Sequence, residues 1–262
     1  METEKIIELL EKKAPLYLAE NWDNPGLIIG RRNKEVKKVL VALDVTDAVA
    51  KEAAEKKAEM IITHHPLIFG TVKKINDDTS LGKRIMFLIE NGISHYAMHT
   101  NLDTAFGGTN DTLAEILGLE NIEPLTVSNE QNGVPNGLGR KGELKEETTF
   151  GEFAQLVKAK LHLDTITVVG DTKKTVSKVG LCTGTGMEFF EAAAANGCDT
   201  YITADVKFHE AQKAVEQEIN LIDATHYGTE NIIVQVISGY LRKNTDLEVI
   251  ESCCDGQVFK HI

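Results

Sequence analysis

The sequence is poor in the features that mark several protein classes. Among 262 residues it has four cysteines, five prolines and one tryptophan. Cys182, Cys198, Cys253 and Cys254 show no Cys-x-x-Cys spacing and are too few to frame a chain of this length, which excludes a disulfide scaffold and a zinc finger. No window holds the roughly 18 consecutive apolar residues that cross a bilayer. The opening Met-Glu-Thr-Glu-Lys has neither the basic region nor the apolar run of a signal peptide. No stretch is rich enough in Ser, Gly or Pro to read as a disordered linker. Positive charge is also short: 28 Lys and Arg stand against 40 Asp and Glu, a net charge of −12. That balance repels phosphate backbones and argues against nucleic acid as a partner. These absences predict a soluble, cytoplasmic protein with reduced thiols and no membrane partner.

What remains is an ordinary globular composition, 42% hydrophobic and 26% charged, patterned as alternating helices and strands. Residues 3–13 carry an apolar stripe of Ile6, Ile7, Leu9 and Leu10, the mark of an amphipathic helix. Val39–Val45 reads as a strand, with Asp47 placed to cap the next helix. Met60–Thr63 is a short strand running into His64-His65-Pro66. A helix over Ser80–Glu90 and a strand over Ile93–Met98 follow, then His99-Thr-Asn-Leu-Asp103 and a helix from Thr109 or Asn110. The stretch 120–148 is turn-rich, with short strands at most, and reads as the connection between two halves. Beyond it the rhythm resumes. Helices are expected over Phe150–Leu161, Glu188–Asn196 and His209–Glu218, with a last one ending near Leu241. Strands are expected over Thr165–Val169, Lys178–Cys182, Thr200–Thr203, Asn220–Ala224 and Leu247–Ile250. The fold class predicted is α/β, as two similar lobes with mostly parallel sheets, residues 1–125 and 126–262. Each half has a strand ending in Thr-His, a hint of internal duplication.

In open α/β sheets ligands bind beyond the carboxyl ends of strands. The ionisable residues gather there: His64 and His65 after one strand, His99 and Asp103 after the next, Asp205, Lys207 and His209 after a third, His226 and Glu230 after a fourth. Imidazole and carboxylate together suit zinc, iron, manganese or nickel. Five such groups, His64, His65, Asp103, His226 and Glu230, are one too many for a simple tetrahedral site and too few to close two shells. The reading that fits is two divalent ions with open positions, bridged by a carboxylate and a water. Adjacent residues of a strand point to opposite faces, so His64 and His65 would reach two different ions, with Pro66 holding His65 extended. Gly228 would allow the sharp turn that lets His226 and Glu230 converge. Against this stands the plainer reading, in which Asp103 caps a helix, Glu230 favours a helix start, and the histidines hold no metal. Thr183-Gly-Thr-Gly186 could cradle a phosphate, but Gly-x-Gly is more often only a turn.

The sequence resembles the NIF-three-like family of dinuclear metal-centre proteins, known as GTP cyclohydrolase type-two homologues. The resemblance lies in Trp22-Asp-Asn-Pro-Gly-Leu27, Leu43-Asp-Val-Thr46, Thr63-His-His-Pro-Leu-Ile-Phe69, His99-Thr-Asn-Leu-Asp103, Gly184-Thr-Gly186, Ile202-Thr-Ala-Asp-Val-Lys-Phe-His209 and Asp223-Ala-Thr-His-Tyr-Gly-Thr-Glu230. It implies that His64, His65, Asp103, His226 and Glu230 are the metal ligands, with Glu230 bridging. It also implies two lobes that share a dinuclear metal site, and a ring-shaped homohexamer. The short connection near 120–148 corresponds to the form without an inserted domain. Ala204 departs from the glycine common in the family. A metal-dependent hydrolase acting on a nucleotide or small phosphorylated metabolite is the activity implied, with His99, Lys207 and His209 as acid, base or substrate anchors. Each of these three could instead orient a ligand by hydrogen bonding, the role favoured for His99 because it lies so near Asp103. The alternative is a non-enzymatic metal-binding regulator or scaffold, a metal store or a DNA-binding ring.

Overall fold

The computed structural model describes residues 1–254 and 256–260. The chain divides into two compact units. Residues Met1–Leu102 and Ile233–Val258 form the first, and Asp103–Ile232 form the body of the second. Among the described residues no helix is long and apolar enough to cross a membrane.

The first unit is built on a five-stranded sheet. Its strands are β1 (Gly26–Ile29), β2 (Lys38–Ala42), β3 (Met60–Thr63), β4 (Ser94–Ala97) and β13 (Glu248–Glu251), in the order β1-β4-β3-β2-β13. All neighbours are parallel except β1, which runs antiparallel to β4 at one edge. Strands β3 and β4 are buried throughout, β3 as the apolar run Met-Ile-Ile-Thr and β4 with the polar Ser94 and His95 enclosed beside Tyr96 and Ala97. Leu40, Ala42 and Ile61 of the sheet pack with Val49, Ala53 and Leu88 from the helices Asp47–Glu55 and Ser80–Glu90. The first of these helices is capped by Thr46, whose side chain accepts from the Val49 N–H at 3.1 Å, and not by Asp47 as expected. Asp47 falls in the first turn and pairs with Arg84 at 2.7 Å instead.

The second unit carries a six-stranded sheet, ordered β5-β8-β10-β11-β12-β9. These strands are β5 (Leu119–Pro124), β8 (Arg140–Thr149), β9 (Thr167–Val169), β10 (Thr175–Leu181), β11 (Thr200–Thr203) and β12 (Asn220–Asp223), while β6 (Asn129–Gln131) and β7 (Val134–Asn136) form a separate hairpin. Only β10-β11 and β11-β12 are parallel; β5-β8, β8-β10 and β12-β9 are antiparallel. The expectation of mostly parallel sheets therefore holds for the first unit and not for the second. Part of the difference arises in the stretch read as turns, which supplies β5 and β8, and part in the edge strand β9. Residues 140–149 form a ten-residue strand whose far half is largely exposed, so its charged sequence gives no apolar run to mark it.

Arg140 opens that strand, and its side chain is completely buried. It binds Asp111 through Nε at 2.5 Å and Nη2 at 2.9 Å, and donates to the carbonyls of Gly137 and Gly139 at 2.8 Å and of Thr104 at 3.1 Å. A buried guanidinium is tolerable only when its donors are met in this way.

Candidate metal centre

In the first unit, β3 ends at Thr63 and the chain leaves the sheet at His64 and His65. Strand alternation therefore no longer separates the two rings, whose centroids lie 5.0 Å apart. His99, just past the end of the neighbouring parallel strand β4, joins them, with ring centroids 5.2 Å from His64 and 5.5 Å from His65. One ligand atom from each of His64, His65 and His99 falls within 4.8 Å of the other two, a group able to hold a metal ion.

Each of these rings has its Nδ1 against an oxygen atom. His64 Nδ1 meets the Met98 carbonyl at 2.7 Å, His65 Nδ1 meets Asp44 Oδ1 at 2.8 Å, and His99 Nδ1 meets Asp23 Oδ1 at 2.7 Å. An oxygen acceptor at Nδ1 places the proton there and leaves the Nε2 lone pair as the ligand atom, the arrangement seen around protein-bound metals. Asp23 also accepts from the Thr100 N–H at 3.0 Å and from its hydroxyl at 2.5 Å. Burial alone would raise the Asp23 carboxyl, but the His99 and Thr100 hydrogen bonds outweigh it and bring it down from 3.8 to about 2. His95, one strand-length away, is a core histidine. Burial lowers it to about 3, so it is neutral, and its Nε2 meets Thr63 Oγ1 at 2.7 Å. Thr63 in turn donates to the His65 carbonyl at 2.6 Å.

In the second unit, His226 and Glu230 lie one turn apart on the short helix His226–Glu230, so their side chains share a face. His226 Nε2 and Glu230 Oε2 are 2.9 Å apart. That is the length of a charge-assisted hydrogen bond, which holds the two side chains together on one face. His226 Nδ1 again meets a carboxylate, Asp205 Oδ2 at 2.7 Å, which also accepts from Thr185 Oγ1 at 2.5 Å. Burial would raise Asp205, but these two hydrogen bonds lower it.

The backbone around this pair is strained. Asp205 has φ of 55° and Thr225 of 62°, and a β-branched residue in that region costs about 1–3 kcal/mol. Thr225 caps the short helix, its hydroxyl accepting from the Gly228 N–H at 3.1 Å. Gly228 is not at a sharp turn, as expected from the sequence. It sits inside the helix, where a Cβ would fall 2.7 Å from Leu163 Cδ2. Gly184 is the glycine that the pair requires: its φ is 61°, and a Cβ there would collide with Glu230 Oε1. The Gly-x-Gly segment thus makes room for a carboxylate. Ala204 is fully buried and its N–H donates to the Gly184 carbonyl at 2.9 Å, so its methyl group does not disturb this loop.

The remaining sequence candidates are placed differently. Asp103 is buried on the helix Thr100–Thr104, and its carbonyl accepts from Asn110 Nδ2 at 3.0 Å. Lys207 and His209 are exposed at the start of the helix Phe208–Glu216. The Lys207 N–H donates to Glu210 Oε2 at 2.7 Å, and His209 Nδ1 meets Gln212 Oε1 at 2.9 Å. Sequence reasoning missed Asp23, Asp44 and the part played by Gly184. Trp22-Asp-Asn-Pro-Gly-Leu27 held the signal for the first, as an acid inside a turn-rich loop.

The family described as Duf34/NIF3 (NGG1p interacting factor 3) matches residues 1–257. The chain belongs to the DUF34/NIF3 family. Its relatives include a Clostridium perfringens protein named GTP cyclohydrolase 1 type 2 homolog, 38% identical over 252 residues that cover 95% of this chain and 94% of the relative. Among solved structures, a Bacillus cereus protein related to NIF3 superposes with a TM-score of 0.94 at 29% identity, covering 100% of this chain and 99% of the other. Reduced HcgD from Methanocaldococcus jannaschii gives a TM-score of 0.82 at 34% identity, covering 96% and 97%. The NIF3 fold accounts for the mixed α/β architecture, and the DUF34/NIF3 match spans both units.

Proposed function

We propose that this chain is a cytoplasmic metal-dependent hydrolase acting on a nucleotide or small phosphorylated metabolite. In this reading His64, His65, Asp103, His226 and Glu230 would hold two divalent ions, of zinc, iron, manganese or nickel. The observation that supports it best is the uniform posture of the imidazoles. His64, His65 and His226 each have Nδ1 against an oxygen acceptor at 2.7–2.8 Å, as metal-ligating histidines do. The donor set is one that all four candidate metals accept.

Bound metal would supply Lewis acidity and lower the pKa of a coordinated water to about 7. The chain's own residues do the rest. Asp23 holds the His99 proton at Nδ1, so Nε2 is the atom that would accept or return a proton. Lys207 and His209, exposed and tied to their own helix, suit anchoring of an anionic substrate better than proton transfer. A homohexamer completes the reading, on the strength of the family resemblance.

Metal analysis of untagged protein, followed by a turnover screen against nucleotides and phosphoesters, tests this. About two equivalents of metal and metal-dependent release of product are expected. Less than one equivalent after supplementation overturns the metal centre. Full loading without turnover of any substrate overturns the hydrolase and leaves a metal-binding regulator.

A further inference from the structure

Trp22 and Phe69 are large, apolar and exposed, at 58% and 60% of their surface. They are also in contact, with ring centroids 5.7 Å apart and planes inclined at 58°. Isolated exposed aromatics are commonplace, but a touching pair in the open is informative. This pair stands beside the histidine group. The His99 ring lies 6.1 Å from Trp22 and 6.3 Å from Phe69, edge-on to both.

The loops that carry the two rings are pinned. Asp23, next to Trp22, holds His99 and Thr100. Asn24 Nδ2 donates to the carbonyl of Ile68, next to Phe69, at 2.8 Å. Trp22 and Phe69 are thus fixed to each other and to His99 through their immediate neighbours. Rigid aromatic surface of this kind binds at low entropic cost.

We propose that Trp22 and Phe69 form a stacking platform for a flat heteroaromatic ring of the substrate, whose polar or phosphorylated end reaches His64, His65 and His99. This rests on the metal-centre reading and narrows its substrate class to molecules that carry a planar ring. A planar heteroaromatic ring stacks on the indole face in a way that a sugar or alkyl chain does not. The incline of the two planes leaves one ring as the floor and the other as a wall. Two side chains offer much less than the roughly 800 Å² per partner that a stable protein interface uses, so a small molecule fits the platform better than a second copy of the chain.

The sequence contains a single tryptophan, so all indole emission reports on this platform. The experiment titrates full-length, zinc-loaded protein with guanosine monophosphate and, separately, with ribose phosphate, exciting at the red edge where the base does not absorb. Saturable quenching by the first and none by the second is expected. Phe69→Leu should weaken the nucleotide about tenfold, with zinc content unchanged. Trp22→Leu, followed by calorimetry, should do the same. No response to the nucleotide, equal quenching by ribose phosphate, or emission that follows protein concentration alone each overturn the platform; the last would place a second copy on it. Repeating the titration after chelation separates the two readings. Ring binding without metal or turnover leaves the platform standing and removes the hydrolase. Turnover of a ring-free phosphoester with no change in emission does the reverse.

Discussion

The Glu230 carboxylate occupies the space that a side chain at residue 184 would need. Gly184 has φ of 61°, and a Cβ built on it would run into Glu230 Oε1. Gly184→Ala should therefore displace the carboxylate and add backbone strain. A loss of about 1–3 kcal/mol in stability is expected, with metal affinity down by about tenfold or more. Thermal unfolding and metal analysis check the two effects. An alanine variant with unaltered metal content would show that Glu230 is no ligand.

The carboxylates behind the imidazoles give a second prediction. Asp44→Asn and Asp205→Asn keep the shape but weaken the hold on His65 and His226. Metal affinity should fall by about 10–100-fold in each, measured by competition with a chelator. Both acids are partly exposed, so little change in unfolding midpoint is expected.

How much of this was legible beforehand depends on distance along the chain. His64, His65, His99, His226 and Glu230 stood out because each follows a strand that its own neighbours define. Asp23 did not, because its partner His99 is 76 residues away and nothing local marks the pair. The strand β8 was hidden for a different reason. Its exposed half has no apolar alternation to read, and its place is set by Arg140 at its buried end. Strand β13 was read correctly as a strand, but its pairing with β2, on the far side of the whole second unit, is a non-local choice that periodicity does not encode.

Arg140 supports a third prediction. Arg140→Met removes the partner of the buried Asp111 and the donors to the carbonyls of Gly137, Gly139 and Thr104. A cost of about 3–5 kcal/mol is expected, read as a shift in denaturant midpoint. Combining it with Asp111→Asn should cost less than the sum, since the two changes dismantle one pair.

Glu52 gives the pH dependence. Its side chain is 7% exposed. It accepts from Lys56 at 2.6 Å, from the Ser252 hydroxyl at 2.5 Å and from the Cys253 N–H at 3.1 Å. Burial alone would raise its carboxyl, but the hydrogen bonds from Cys253, Lys56 and Ser252 outweigh it and hold it far below its ordinary 4.5. A carboxyl lowered on folding adds stability that is complete above its unfolded pKa and is lost as pH falls below it. Acidification from pH 6 to pH 3 should therefore destabilise the protein more than it destabilises Glu52→Gln. The variant itself should lose about 2 kcal/mol at neutral pH. Parallel pH profiles for the two proteins would remove Glu52 as the source.

The parallel pairing of β13 with β2 also fixes an order of events during synthesis. The body of the second unit is one continuous segment, 103–232, and emerges from the ribosome before β13. The first unit has four strands in hand by residue 97, but its sheet ends on the open edge of β2 until residues 248–251 appear. A nascent chain thus exposes a buried-type strand edge for the whole time that the second unit is being made. Such an edge is an invitation to pair with another chain. Stalling or truncation before residue 248 should accordingly yield aggregates, while the same truncation spares the segment already folded behind it.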